Sequence, residues 1–403
     1  MTDHISLGVL AECFPRDLIE DVLVETGRRE VRSRLLPAHV MVRFALAMCL
    51  FFDDDYEEVM RKLVESLKQT RSWRGGWKVP TTSAITQARQ RLGADPLRVL
   101  FERAAVPVAG RGTQGAWCTS RRLMAIDGFV LDVADTPANV EEFGKVTNKG
   151  KGGPFPQAVV VGLGECGSRA VVAASVGGVR TGESTLARGL LGAFEPDMLV
   201  LADRNFYGYT LWREALRTGA DLLWRVKSTV RLPVLEWLPD GSYRSVLIDP
   251  AIRGARRTRL VDQARSGVSV PGEQAVAVRV VEYDVPDRTG NGSGELICLI
   301  TSILDPLDAS ALELATAYHQ RWEFETGIDE KKTHLRGPGR ILRSKSPEMV
   351  YQEIWAFLLT HYAIRRLMCR AADEADVDPD RLSFMRSVRI IRRQVTSPAD
   401  FSP

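Results

Sequence analysis

Asp127 closes the apolar run in "RLMAIDGFVLDVAD", Asp203 closes another in "DMLVLADRNF", and "YHQRWEFETGIDEKKTHLRG" (318–337) carries acids and bases together. On a helix with Tyr318 at zero and about 100° per residue, Arg321 falls at about −60°, Glu325 at about −20°, Lys332 at about −40° and Asp329 at about +20°. Glu323 and Glu330 lie outside that sector. One face therefore carries a phenol, two cations and at least one carboxylate. A solvated helix laced with i,i+4 pairs also mixes signs, and an Asp-Gly at a strand end is commonly a turn former. Two acids on strands of one sheet and a third on a downstream helix, however, supply the oxygen ligands that two Mg²⁺ ions need. Such ions sit about 4 Å apart and flank the attacking and departing oxygens of a phosphoryl displacement. Arg321 and Lys332 would then face phosphates, Arg as a fork and Lys as a point charge.

The elements that must hold these residues follow from periodicity. Beyond residue 115, "RLMAIDGFVLDVAD", "PQAVVVGLG", "SRAVVAASVGG", "DMLVLADRNF" and "DLLWRVKS" read as strands, with "GESTLARGLLGAF" and "YTLWREALRTG" as helices between the later ones. The pattern is β-β-β-α-β-α-β, a mixed sheet with helices. Residues 229–300 turn β-rich, with loops such as "LPDGS" and "DRTGNGSG", as if a second small sheet preceded the long helix that carries 318–337. The stretch from Pro347 to Arg370 and the segment "RLSFMRSVRIIRR" are helical again.

Before residue 115 the pattern is helical. In "TTSAITQARQRLG", Ile85, Ala88 and Leu92 share one side while Thr86, Gln87, Gln90 and Arg91 share the other, and Gly93 closes the helix. A short helix behind the turn-like "RSWRGGWKVP", with a Gln/Gln/Arg face, is similar to a helix-turn-helix recognition helix. An ordinary amphipathic surface helix has the same pattern. Gln87, Gln90 and Arg91 are candidates for base edges, because amide and guanidinium groups pair bidentately with adenine and guanine.

Charge points the same way. The net charge of +3 conceals 13 Lys/Arg against 3 Asp/Glu over residues 61–122, or +10, which leaves 3 − 10 = −7 for the rest of the chain. Such asymmetry predicts an anionic partner for the basic segment. Six cysteines (Cys13, Cys49, Cys118, Cys166, Cys298, Cys369) form no C-x-x-C pair, so neither a zinc site nor a disulfide framework is expected, and a reducing cytosol fits. The apolar run "FALAMCLFF" is too short to span a bilayer, and the N-terminus lacks a signal-like basic start. "GLGECG" (162–167) satisfies G-x-G-x-x-G, but the strand-like "SRAVVAASVGG" follows it where a helix is required, so a hairpin turn rather than a nucleotide site is predicted. "NKGKGGPF" does not match a P-loop.

Tyr318-x2-Arg321-x3-Glu325-x6-Lys332 resembles the Y-R-E-K signature of DDE transposases of the insertion-sequence-four family. "AIDG" and "LADRNFYGY" resemble that family's two aspartate motifs, and "FPRDLIEDVL", "LPAHVMVRFALAMCLFFDDDYEEV" and "SAITQARQRLG" resemble its N-terminal domain. The resemblance implies an α/β fold: a ribonuclease H-like mixed-sheet core (116–228 and 301–403), a β-rich insertion (229–300), and an all-α, helix-turn-helix-like N-terminal domain (1–115). It implies that Asp127, Asp203 and Glu325 are catalytic metal ligands, and that Tyr318, Arg321 and Lys332 contact DNA. The family spacing thus selects Glu325 over Asp329, which lies about 6 Å further along the helix axis.

The function implied is cut-and-paste transposition: binding of terminal inverted repeats, cleavage at the element ends with two Mg²⁺ ions or Mn²⁺ in their place, and joining of 3′-hydroxyls to target DNA. A homodimer acting on the DNA in the cytoplasm, at the nucleoid, is expected, with no membrane and no nucleotide cofactor. The alternative is a catalytically idle relative that binds DNA as a repressor or architectural factor; the intact acids disfavour it. Trp237, beside a turn in "VLEWLPDGS", is the insertion-domain tryptophan that the resemblance assigns to stacking on a base flipped during hairpin formation, although core packing is the commoner fate of a strand Trp. Two departures stand out. Phe129 occupies a position where a small polar residue is expected, and the sequence ends soon after "RRQVTSPADFSP", without a longer C-terminal assembly segment.

Overall fold

A computed structural model describes residues 10–32, 35–65, 79–148, 151–268, 270–285, 295–322 and 340–396. The chain opens with helices α1 (Leu10–Cys13), α2 (Arg16–Glu25), α3 (Ala38–Leu50), α4 (Tyr56–Glu65), α5 (Thr82–Leu92) and α6 (Asp95–Ala104). Next come β1 (Trp117–Cys118), β2 (Arg121–Asp132), α7 (Pro137–Phe143), β3 (Thr147–Asn148), β4 (Lys151–Gly152), β5 (Gln157–Glu165), β6 (Val171–Gly178), α8 (Glu183–Arg188), β7 (Met198–Ala202), α9 (Tyr209–Leu216) and β8 (Asp221–Arg225). Then follow β9 (Glu236–Trp237), β10 (Tyr243–Ile248), α10 (Gly254–Arg265), β11 (Ala275–Val285), β12 (Glu295–Thr301) and α11 (Ala311–His319), and finally two helices, Pro347–Glu374 and Phe384–Thr396.

The sheet runs β6-β5-β2-β7-β8-β12-β11-β10-β9. Its first five strands keep the order third-second-first-fourth-fifth, with β2, β5 and β6 antiparallel and β7 and β8 parallel to β2. This is the ribonuclease H-like arrangement. The central strand β7, "MLVLA", is buried throughout, as a parallel strand covered on both faces must be. The "GLGECG" glycines end β5 and turn into its antiparallel partner β6, the hairpin expected from the sequence.

Among the described residues, the β-rich segment forms no second sheet. β12 pairs antiparallel with β8, Leu299 opposite Arg225, and β11, β10 and β9 continue outward from it. The reason is an edge: β8 would otherwise end the sheet with an unpaired ladder, and β12 covers it.

Alternation along the strands divides the core in two. Leu123, Ala125, Phe129, Leu199, Leu201 and Leu223 face the N-terminal helices, α11 and the long helix Pro347–Glu374. Met124, Ile126, Val200, Ala202, Leu222 and Trp224 face α8 and α9. The first cluster includes α3, buried at nearly every position because the long helix, α2, α4 and α5 surround it. Among the described residues, the helices before residue 115 therefore share one core with the sheet and the long helix. Arg89 of α5 ties them down: it is buried, its Nε donates to Gln352 Oε1 at 2.8 Å and its Nη2 to Ser344 Oγ at 3.3 Å, and it also bonds the Tyr56 hydroxyl.

Candidate active site

The register of β2 and β7 pairs Ile126 with Ala202, so Asp127 and Asp203 occupy the next rung of two adjacent parallel strands. β7 and β8 pair Ala202 with Trp224, which puts Arg225 on that same rung one strand further. Neighbouring strands lie about 4.8 Å apart, so the two carboxylates start from adjacent backbones. Period two settles their direction: Asp127 follows Leu123 and Ala125, Asp203 follows Leu199 and Leu201, and all share the face that α11 covers. Both aspartates are half-buried, where the strands emerge from the core. Phe129, two residues beyond Asp127 on the same face, is buried and closes the apolar floor beneath the rung, which gives its bulk a place.

Asp127 Oδ1 accepts the Gly128 N–H at 2.7 Å. Acceptor-only oxygens on one rung are the donor set that a hard divalent cation prefers, so these residues fit such an ion. The third expected ligand, Glu325, and Lys332 lie outside the described residues, as do Asp329, Glu323 and Glu330. Among the described residues, no cluster of three His, Cys, Asp or Glu side chains could hold a metal.

α11 brings Tyr318 to this face, and Arg321 follows two residues past its end. Its start is fixed by a capping box, in which Ser310 Oγ accepts the Glu313 N–H at 3.3 Å and the Glu313 carboxylate accepts the Ser310 N–H at 2.7 Å. The helix expected to run unbroken through 318–337 closes at His319, because the Gln320 N–H bonds back three residues to Ala317 at 3.0 Å; helix resumes at Arg321 and Trp322. The Arg321 guanidinium lies over the Tyr318 ring, 5.6 Å from its centre. Both residues are buried, at 2% and 6% exposure. Burial pushes the Tyr318 phenol well up; the Arg321 charge opposes this and the Asp203 charge reinforces it, with Arg225 also opposing. Tyr318, Arg321, Asp203 and Arg225 are thus electrostatic neighbours.

Sequence reasoning missed Arg225, Glu295 and Trp322. Glu295, at the start of β12, pairs with Arg225 and with Arg204 at 3.5 Å. The signal for Arg225 was its place at the end of a parallel strand neighbouring Asp203, which only the register makes visible. Trp322 is 42% exposed, its ring 4.8 Å from that of His319, which in turn lies 6.0 Å from Tyr283. Trp237 is more exposed still, at 65%, and its ring lies 5.1 Å from Tyr243. The structure does not bring it to the rung, since β9 is five strands from β7, roughly 24 Å at about 4.8 Å per strand.

Gln87 and Gln90 are exposed on α5, as expected. Arg91 is exposed too, but it pairs with Glu30 at 3.5 Å and donates to the Leu36 carbonyl at 3.4 Å. Among the described residues of the basic segment 61–122, seven cations are ion-paired rather than left as an open cationic surface. Arg61, Lys62, Arg91, Arg98, Arg103, Arg121 and Arg122 pair with Glu58, Asp54, Glu30, Asp95 and Glu102, Glu25, Asp221 and Glu165, most of these acids coming from outside the segment. Among the described residues, folding brings acids from outside the segment onto these cations.

No helix among the described residues is long and apolar enough to cross a membrane. Residues 4–102 match the "Insertion element 4 transposase N-terminal" family and residues 119–362, more than half the chain, match the "Transposase DDE domain" family. The chain is 27% identical over 399 residues to the transposase InsG for insertion sequence element IS4 of Escherichia coli K12, covering 98% of this chain and 85% of that protein. It is 27% identical over 221 residues to the putative transposase InsZ of the same organism, covering 54% of this chain and 71% of that one. A cryo-EM structure of the piggyBac transposase synaptic complex with hairpin DNA aligns with 96% of this chain and 79% of its own, at 12% identity and a TM-score of 0.49. The acids on one rung of a ribonuclease H-like sheet and the two matching family regions agree: the chain belongs to the DDE transposases of the insertion-sequence-four family, and it is a DNA transposase.

Proposed function

We propose that this transposase moves its element by cut and paste. It binds the terminal inverted repeats as a homodimer, in the cytoplasm at the nucleoid, cleaves a phosphodiester at each end and joins the freed 3′-hydroxyl to target DNA. The observation that carries this reading is the single rung holding Asp127, Asp203 and Arg225 beneath Tyr318 and Arg321.

In the first step a water oxygen bonds to phosphorus, the bond to the 3′-oxygen breaks, and that oxygen leaves with a proton. In the second, the 3′-hydroxyl takes the place of water and a target phosphodiester is opened. Asp127 and Asp203, with Glu325, hold divalent cations, a pair of Mg²⁺ for which Mn²⁺ can substitute. When bound, these cations activate the nucleophile and neutralise charge on the departing oxygen. Arg225 and Arg321 hold non-bridging phosphate oxygens, and Lys332 joins them. Tyr318, buried against Arg321, contributes by keeping that guanidinium aligned.

Glu295 occupies Arg204 and Arg225 when DNA is absent, and phosphate replaces it. Gln87, Gln90 and Arg91 read base edges on the repeats, with Arg91 first leaving Glu30. Trp322 offers a stacking surface at the rung, and Trp237 one for DNA that runs outward along the sheet. The test is strand cleavage of a duplex carrying the element's ends, with Mg²⁺ and with a chelator. Cleavage that persists in the chelator, or no cleavage with either Mg²⁺ or Mn²⁺, would overturn the reading.

A further inference from the structure

Among the described residues, five arginines in α10 and the segment before it, Arg231, Arg253, Arg256, Arg257 and Arg259, pair with no acid. Three of them line one cavity. It has a volume of about 440 Å³ and is walled by Tyr207, Arg231, Arg253, Gly254 and Arg257, with Ile248 among its apolar lining. Arg257 donates to the Arg231 carbonyl at 3.5 Å, which ties α10 to the segment carrying Arg231. Asp249, four residues before Arg253, instead accepts the Ala251 N–H of its own loop at 2.9 Å. The first turn of α10 opens beside the same cavity with no capping side chain. Burial pushes the Tyr207 phenol up to about 12, against the lowering effect of Arg257, so it stays a neutral hydrogen-bond donor at the cavity wall.

Like charges gathered around an empty volume repel one another, and the arrangement is relieved by an anion that accepts from several guanidinium forks. The location says which anion. Tyr207 is four residues beyond Asp203, so its Cα lies within about 14 Å of the catalytic acid even if the chain between them is fully extended. At 3.4 Å of axis per step of one DNA strand, that is about four nucleotides.

We propose that this cavity is a docking site for a backbone phosphate of the DNA, a few nucleotides from the phosphodiester at the Asp127–Asp203 rung. It rests on the cleavage site proposed above. The cavity fixes the register of the strand: with one phosphate seated at Arg231, Arg253 and Arg257, the number of nucleotides to the cleaved bond is set by the protein. Arg256 and Arg259 lie on other faces of α10 and do not line the cavity.

The test uses the full chain and the salt dependence of binding to a short duplex. Each seated phosphate contributes about 0.9 to the slope of log K against log salt. The triple substitution Arg231→Ala, Arg253→Ala, Arg257→Ala should lower that slope by about one and shift or blur the cleavage position, whereas Arg256→Ala with Arg259→Ala should move neither. The corresponding three Arg→Lys changes should retain the slope, because the charge remains. An unchanged slope in the triple alanine variant, or an equal loss from Arg256 and Arg259, overturns the docking site while leaving the cleavage reading intact. Inorganic phosphate that stabilises the wild type, but not the triple variant, with no difference in DNA slope would make it a free-anion site and overturn the DNA assignment. Wild-type protein that binds DNA but cleaves none of it would overturn the catalytic reading instead.

Discussion

Asp127 and Asp203 stand on one rung of adjacent parallel strands, immediately past the paired Ile126 and Ala202. Their shared face is fixed by strand alternation, so neither can turn away without inverting a strand that is otherwise core. Asp127→Asn and Asp203→Asn should each lower metal-dependent cleavage by roughly a thousandfold, the scale of losing a preorganised charged group, while DNA binding and melting temperature hold. Glu325→Gln should match them and Asp329→Asn should keep most activity. Equal damage from Glu325→Gln and Asp329→Asn in a cleavage assay would leave Glu325 without its assigned role.

Arg225 is both a neighbour of Asp203 and the partner of Glu295. Glu295→Gln frees Arg225 and Arg204 for phosphate and should tighten DNA binding about two- to fivefold at low salt, the range expected of a partly exposed ion pair. The gain should shrink as salt rises. Arg225→Ala should weaken binding and cleavage. Titrations at two ionic strengths decide this; weaker binding by Glu295→Gln would show that the pair is purely structural.

The buried Arg89 makes a separate prediction about stability. Arg89→Ala strands Gln352 Oε1 and the Tyr56 hydroxyl beside the buried Glu353, whose carboxylate accepts from Ser344 Oγ at 2.6 Å. A cost of about 2–4 kcal/mol is expected. Denaturant unfolding measures it, and a loss below about 1 kcal/mol would mean that water or neighbouring groups replace the network.

End recognition is best tested by point substitution, because removing residues 1–115 would strip a large part of the shared core. Gln87→Ala with Gln90→Ala should reduce preference for the terminal repeats over random duplex by about ten- to a hundredfold, with little change in non-specific affinity. Competition gel shifts provide the measurement; an unchanged ratio would remove α5 from base reading.

The two exposed tryptophans should separate by step. Trp322→Ala, adjoining Arg321, should slow the first strand cleavage, whereas Trp237→Ala should spare it and slow only the formation of products that require a base to leave the stack on flanking DNA. Time courses resolving both products test this. Flanking products at the normal rate in Trp237→Ala would end its stacking assignment.

Much of the strand inventory was legible because apolar runs such as "PQAVVVGLG" and "DMLVLADRNF" must be buried on both faces whatever surrounds them. The failed helix context after "GLGECG" likewise marked a hairpin locally. That Tyr318 and Arg321 lie beside each other was also legible, since only two residues separate them. Their burial was not, because it depends on what packs above them.

The sequence by itself determined the identity and spacing of the acids and bases, since these are local and covalent, and alternation already set which neighbours each aspartate shares a face with. Only the tertiary structure decided the rung: residues 127, 203 and 225 meet through pairings between distant segments, and register is fixed by how both faces of the sheet are packed. It likewise decided where charge remains available. Composition counts cations, but whether a cation meets an acid depends on the fold: among the described residues, folding pairs Arg91, Arg103 and Arg122 with distant acids while leaving Arg231, Arg253 and Arg257 without acids around a cavity. The continuation of the sheet through β12 has the same origin, since the open edge of β8 exists only once β8 is in place and no local pattern in residues 295–301 announces it.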